Sequence, residues 1–183
     1  MNLRKDLCPD MATAERLYPL VLKRLQEYEN FRDSQSEDTP EAVFDAEYKA
    51  METYLSELTG KDLSEVWLWE WWEGEGIEVF AFRLALPEPK KVADFSKEEV
   101  LEVVHLVEES WFNEDDDWSD EDEENNDFAH FEKIFEMYYA DDYYHKLLEI
   151  NFPKTYDFKY FITQKDGSEL TPEAITEKIW GKK

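Results

Sequence analysis

Several segments of the chain place apolar side chains three or four residues apart, which is the spacing of one face of an α-helix. The first spans residues 11–32 and contains Pro19, which either lies in the first turn of a helix or kinks a longer one. The second begins at Thr39 and Pro40, a helix cap followed by proline at the first helical position, and ends at Gly60. Both segments are predicted to be amphipathic helices.

The third helical pattern begins with a capping box, in which Ser96 and Glu99 each accept a hydrogen bond from the other residue's backbone N–H. Its valines recur at helical spacing, so the helix is predicted to run to about Phe112. Further helices are predicted at residues 128–138, over "ADDYYHKLLEINFP" before Pro153, and over a short C-terminal segment that starts at Thr171 and Pro172.

Alternating apolar residues predict strands in two other places. Residues 65–86, "EVWLWEWWEGEGIEVFAFRLAL", hold two aromatic and β-branched runs on either side of "EGEG", whose glycines permit positive φ. This pattern predicts a β-hairpin in which Trp67, Trp69 and Trp71 share one face, and we expect that face to be mostly buried. Residues 155–164, "TYDFKYFITQ", alternate in the same way and predict a further strand.

Together these elements predict an α+β fold, with several helices packed on a small, mainly antiparallel sheet that contains the Trp-rich hairpin. The chain has 183 residues, which suggests a single domain over residues 1–183. Aromatic residues make up 16% of the chain, and each buries a large area, so a core can form despite the high charge.

The charge of the chain is strongly one-sided: 46 acidic residues against 20 basic ones give a net charge of −26. Ten of the carboxylates lie in residues 113–127, "NEDDDWSDEDEENND", here called the acidic run. We expect this run to be a flexible loop, because adjacent carboxylates repel one another and bury nothing. An acidic surface repels nucleic-acid phosphates and anionic lipids and attracts basic proteins, so no direct binding to nucleic acid or membranes is expected.

The sequence predicts no metal site, no cofactor and no catalytic site. The acidic run fails the EF-hand template, which needs glycine where this chain has Asp120 and a bidentate glutamate where it has Asn126. The glycine-rich phosphate-binding motifs, G-x-S-x-G, H-E-x-x-H and a C-x-x-C pair are all absent. Cys8 is far in sequence from every histidine, which makes it a poor candidate nucleophile.

Cysteine usage and the N-terminal sequence bear on the compartment. A single cysteine, Cys8, leaves no internal disulfide and favours a reducing environment. The first residues, "MNLRKDLCPDMATAERL", lack the apolar core of a signal peptide, and no apolar stretch has the length of a membrane span. We therefore expect a cytoplasmic protein.

Binding to a basic protein is the function that these patterns favour. Carboxylates steer a basic partner, whereas a buried aromatic side chain holds it, so Trp118 within the acidic run is the expected anchor. Alternatively, Trp118 packs back onto the domain and pins the run. The predicted partner-binding residues are Glu114, Asp115, Asp116, Asp117, Trp118, Asp120, Glu121, Asp122, Glu123 and Glu124.

In size, acidity and lack of catalytic motifs, the chain resembles two classes of acidic bacterial inhibitor. These are the immunity proteins that neutralise secreted toxins, often nucleases, and the DNA mimics, whose carboxylates imitate phosphates. The aromatic-rich composition and the local acidic run favour an immunity-type inhibitor of a basic toxin, because a DNA mimic more naturally spreads its charge along elongated helices. The alternatives are an acidic adaptor or chaperone for a basic nucleic-acid-binding protein, a DNA mimic, or an unrecognised enzyme.

Overall fold

A computed structural model of the protein describes residues 3–69, 76–110, 133 and 135–181, and these ranges contain helices and no strand. The predicted α+β fold with an antiparallel sheet is therefore wrong. The helices are α1 (Met11–Ser34), α2 (Glu41–Thr59), α3 (Gly76–Ala85), α4 (Lys97–Ser110), α5 (Ala140–Asn151) and α6 (Pro172–Trp180). Short 3-10 turns lie at Lys5–Leu7 and Phe158–Phe161, and a π-helical turn lies at Phe135–Tyr139.

Residues 10–87 form one compact unit, the α1–α3 unit, in which α1 packs against both α2 and α3. The Asp10 carboxylate caps α1 by accepting a hydrogen bond from the Thr13 N–H at 3.1 Å, and Pro19 lies inside this helix. Gly60 ends α2 in the left-handed conformation with φ of 72°, as predicted. The core consists of fully buried apolar side chains from all three helices, among them Ala14, Val21, Leu25, Met51, Leu55, Phe80 and Phe82.

The predicted hairpin at residues 65–86 is wrong, because its second half is helix α3. Six of the ten residues of α3 are buried, including Ile77, Phe80 and Phe82, whereas Glu78 and Arg83 are exposed. A short run that is apolar on both faces is equally typical of a covered strand and of a buried helix, so alternation alone cannot separate them. The predicted burial of the Trp face fails at Trp67, which is 71% exposed, whereas Trp69 is half-buried and Trp71 lies outside the described residues.

The start of α2 differs from its prediction by one residue. Pro40, rather than Thr39, occupies the cap position, and its carbonyl accepts the Val43 N–H at 2.9 Å. The Thr39 hydroxyl lies 3.3 Å from the Ser36 hydroxyl and so is engaged within the preceding loop. The helix consequently begins without a side-chain cap.

The second compact unit, the α4–α6 unit, comprises residues 1–9 and 88–183, and in it α4 packs against α5 and α6. The predicted capping box of α4 is confirmed: Ser96 N–H donates to Glu99 Oε2 at 2.8 Å, and Glu99 N–H donates to Ser96 Oγ at 3.1 Å. The other oxygen of Glu99 lies 3.0 Å from Arg4 Nε. Thr171 caps α6 and Pro172 is its first residue, as predicted. The expectation of a single domain stays a prediction.

The strand predicted at residues 155–164 is wrong, because Phe158–Phe161 forms a 3-10 turn. The Asp157 side chain starts this turn by accepting a hydrogen bond from the Lys159 N–H at 3.0 Å. The Gln164 amide then donates to the carbonyls of Lys159 and Ile162, at 2.9 Å and 2.7 Å. These local side-chain bonds satisfy backbone groups that a sheet would otherwise use, and so they override the β-propensity of the aromatic residues.

Replacing Ser96 by alanine should lower the free energy of unfolding by about 1 kcal/mol, because the Glu99 N–H at the start of α4 loses its acceptor. Urea denaturation of the wild type and the variant measures the difference. An unchanged free energy would show that water replaces the hydroxyl without loss.

A second prediction concerns alkaline pH. Burial, with smaller effects from nearby carboxylates, raises the pKa of Tyr156 to about 12, and burial and Glu78 raise that of Tyr18 to about 12. In the unfolded chain these phenols ionise at their usual pKa of 10.0, so folding holds them neutral. Their contribution to stability is complete below pH 10 and is lost as the pH rises towards 12.

Denaturant unfolding at a series of pH values between neutrality and this range tests the expectation. The Tyr156→Phe variant should be less stable at neutral pH, because it lacks the hydrogen bond to His145, but its stability should fall less steeply with rising pH. Identical slopes for the two proteins would contradict the assignment to Tyr156.

Candidate protein-binding surface

A cavity of about 600 Å³ opens in the α1–α3 unit, between the end of α1, the start of α2 and residues 64–69. Five of its lining residues are aromatic, and three of the other six are acidic. We call it the aromatic pocket, and it is lined by Tyr28, Arg32, Glu41, Phe44, Asp45, Tyr48, Ser64, Glu65, Val66, Trp67 and Trp69.

Edge-to-face contacts of Tyr28 hold the floor of the aromatic pocket together. Its side chain is buried, and its ring centroid lies 5.7 Å from that of Tyr48 and 5.4 Å from that of Trp69. Both pairs are close to perpendicular, with interplanar angles of 73° and 81°. Such pairs are favourable beyond the area that they bury, so α1, α2 and the segment with Trp69 are joined at one point.

The hydroxyl of Tyr48 fixes the backbone that carries the two tryptophans. It donates to the Val66 carbonyl at 3.2 Å and accepts from the Leu68 N–H at 3.0 Å. Leu68 is fully buried, whereas Trp67 on one side of it is exposed and Trp69 on the other is half-buried. Leu68 and the Tyr48 hydroxyl therefore fix the backbone so that Trp67 lies in solvent and Trp69 lies against the pocket.

The chain's own Arg32 is one of the residues that line the aromatic pocket. Its guanidinium carbon lies 4.4 Å from the ring centroid of Trp69 and 5.4 Å from that of Phe44, both within cation–π distance. Burial raises the pKa of Tyr28, and the nearby Arg32 guanidinium opposes that rise. Among the described residues, no carboxylate lies within ion-pair distance of Arg32, so aromatic faces hold its charge.

Three exposed carboxylates line the same cavity as this guanidinium. They belong to Glu41, Asp45 and Glu65. Their three negative charges exceed the single positive charge of Arg32, and the chain as a whole carries −26. A positively charged group arriving from solvent is therefore attracted to the mouth.

A second cavity, of about 410 Å³, lies in the α4–α6 unit between the end of α4, residues 160–163 and the start of α6. It is mostly apolar, and the Glu108 carboxyl lines it together with Glu169. Burial raises the pKa of Glu108; His105 lowers it, and the charges of Glu173 and Glu169 raise it. A weakly acidic carboxyl on an apolar wall is a poor attractor for a cation compared with the three exposed carboxylates of the aromatic pocket.

His145 and Tyr156 are residue types that occur in catalytic sites, but here they join structural elements. His145 Nδ1 lies 2.8 Å from the Tyr156 hydroxyl, and its Nε2 lies 3.1 Å from an Asp141 oxygen, off the direction of a hydrogen bond. The rings of Phe158 and Phe161 cover the imidazole, with centroids 4.9 Å and 4.6 Å away. The histidine is buried and lines neither cavity, so its contacts hold the Phe158–Phe161 turn on α5.

Cys8 has the environment of a structural cysteine. Burial and the charge of Asp6 both raise the pKa of its thiol, which favours the protonated form. Its backbone carbonyl accepts a hydrogen bond from the Tyr143 hydroxyl at 3.2 Å, and this contact ties the N-terminal segment to α5.

All ten predicted partner-binding residues, Glu114 to Glu124 with Trp118, lie outside the described residues, so the role of the acidic run stays a prediction. Within the described ranges no group of histidine, cysteine and acidic side chains is arranged to hold a metal ion. None of the helices in those ranges has the length and apolar character needed to cross a membrane.

Sequence reasoning missed the aromatic pocket. Tyr28 and Tyr48 follow the apolar stripes of their helices and are expected only as core residues. Trp67 and Trp69 carry a usable signal, because Glu65 and Glu70 lie at the two ends of the short segment that holds them, but the hairpin interpretation buries them. Nothing in the sequence indicates that Arg32 lines a pocket, since the position of its side chain depends on how α1 and α2 pack.

Replacing Tyr48 by phenylalanine should lower the free energy of unfolding by about 1–2 kcal/mol, because the Val66 carbonyl and the Leu68 N–H both lose their partner. Urea denaturation measures the change. Tyr54→Phe on the same helix is the matched control, since Tyr54 is 42% exposed and should change stability by less than about 0.5 kcal/mol. Equal effects in the two variants would show that the Tyr48 hydroxyl does not fix this segment.

Comparisons of the chain with protein-family models, with curated proteins and with solved structures find no match.

Proposed function

We propose that this chain is a non-catalytic binding protein whose partner is a basic protein, and that it acts as an immunity-type inhibitor of a basic toxin. The observation that carries the proposal is the aromatic pocket with Glu41, Asp45 and Glu65 at its mouth and the exposed Trp67 beside it. Aromatic anchors within a charged surface are the combination that gives a protein interface both affinity and steering.

The exposure of Trp67 supports an interface at this place. At 71% it is the most exposed of the large apolar side chains in the described ranges, although a tryptophan gains more than most residues from burial. Its backbone is nevertheless fixed by Tyr48 and Leu68, so the side chain is presented from a defined position. Tryptophan, tyrosine and arginine, the residues that dominate binding energy at protein interfaces, all occur around this pocket.

In this proposal the acidic run is the element that steers the partner. Its carboxylates add to the field of a body that is already acidic, which raises the rate at which a basic partner arrives. Trp118 is proposed as a second aromatic anchor within it. The proposal includes a cytoplasmic location, which the single free cysteine supports.

Salt and charge variants test the steering. Raising the ionic strength from 0.1 M to 1 M shortens the Debye length from about 10 Å to about 3 Å, so association with the partner should slow markedly while dissociation changes less. The on-rate should fall when six carboxylates of the acidic run are replaced by their amides: Asp115, Asp116, Asp117, Asp120, Glu121 and Asp122. The off-rate should rise in Trp67→Ala and in Trp118→Ala. Surface plasmon resonance separates these rates.

The probe for this measurement is the protein encoded directly beside the gene of this chain, together with a panel of purified basic nuclease toxins and cytochrome c as an inert basic protein. An immunity-type inhibitor binds one toxin, abolishes its activity and leaves cytochrome c unbound. The matched charge control neutralises six exposed carboxylates elsewhere: Glu15, Glu57, Glu88, Glu98, Asp142 and Glu149. Equal slowing by both sets would refute a localised steering surface, and a complex that leaves the partner active would favour an adaptor.

A further inference from the structure

We propose that the aromatic pocket binds an arginine side chain of the partner, and that Arg32 holds this position in the free protein. The inference rests on the proposed function, because it names the group on the basic partner that the pocket recognises. It adds a defined binding site to what is otherwise a general attraction between opposite charges.

Arg32 shows which chemistry the aromatic walls accept. Its guanidinium stacks on the indole of Trp69 at 4.4 Å and also lies 5.4 Å from the ring of Phe44. A guanidinium is flat, delocalised and weakly hydrated, so it leaves water for an aromatic face more readily than an ammonium does. Tryptophan is the aromatic side chain that attracts a cation most strongly.

The space and the charge around Arg32 leave room for a second guanidinium. The cavity of about 600 Å³ lies beside the Arg32 side chain rather than being filled by it. Glu41, Asp45 and Glu65 line the same space, and none of them lies within ion-pair distance of Arg32. An incoming arginine can therefore reach carboxylates that the resident guanidinium does not use, and a bidentate pair with one of them favours arginine over lysine.

The Arg32 side chain can also move away from the aromatic rings. Arg32 lies in the last turn of α1, and its side chain is held by π faces and lies near the Tyr28 hydroxyl, without a carboxylate partner among the described residues. Rotation about its side-chain bonds moves the guanidinium without any change in the helix. The resident group thus covers Trp69 in the free protein and competes with the partner's arginine for the same face.

Three short peptides test the proposal: acetyl-Gly-Arg-Gly-amide, its lysine analogue and its citrulline analogue. Citrulline keeps the shape of arginine without the charge. Tryptophan indole NMR signals report binding, and those of Trp67 and Trp69 are assigned by single substitution to phenylalanine. The arginine peptide should give saturable shifts of both signals, the lysine peptide weaker ones and the citrulline peptide none.

The Arg32→Gln variant should bind the arginine peptide about threefold to tenfold more tightly, since the competing cation is gone. Lys23→Gln is the matched control, because it removes the same charge from an exposed position on α1 and should leave binding unchanged. The combined Glu41→Gln, Asp45→Asn and Glu65→Gln variant should lose binding. Thermal unfolding establishes that each variant folds.

Three results would overturn the proposal: no saturable shift in the wild type, equal binding of the citrulline peptide, or weaker binding by a folded Arg32→Gln variant. If that variant does not fold, the wild-type titration with the three peptides decides. Salt-sensitive binding of a basic protein with no peptide binding would reject the arginine site and keep the proposed function. Peptide binding without inhibition of any toxin would keep the arginine site and reject the proposed function.

Discussion

Repulsion among carboxylates is the constraint against which both units of this chain fold. A net charge of −26 opposes compaction at neutral pH, because the 46 acidic residues far outnumber the 20 basic ones that could pair with them. The opposing contribution comes from large apolar side chains, which in the α1–α3 unit include the buried Ile77, Phe80 and Phe82 of α3. Helical packing suits this balance, because charges occupy one face of a helix and apolar groups the other.

The sequence predicts helices well where a local interaction defines their ends. The capping box of Ser96 and Glu99, Thr171 with Pro172, and the left-handed Gly60 each depend on residues within one turn, and each is found as predicted. Such features depend little on tertiary structure, so a single sequence contains enough information to find them.

The errors occur where tertiary contacts decide between two local conformations. Residues 76–85 have an apolar pattern that suits a covered strand or a buried helix, and only their packing against α1 selects the helix. The aromatic residues of 155–164 favour a strand by propensity, but Asp157, Gln164 and the covering of His145 fix a turn. The aromatic pocket is not predicted for the same reason. It brings together residues from three segments that the hairpin prediction keeps apart.

Tyr48 uses both hydrogen-bonding capacities of one hydroxyl on a single stretch of backbone, and Leu68 fixes the same stretch from the core. The loss of conformational entropy that accompanies the ordering of this stretch therefore occurs on folding rather than on association. A tryptophan side chain has only two rotatable bonds, so Trp67 loses little further freedom when a partner covers it. Binding at this surface should therefore retain most of the free energy of burying the indole, and its strength should appear as a long residence time.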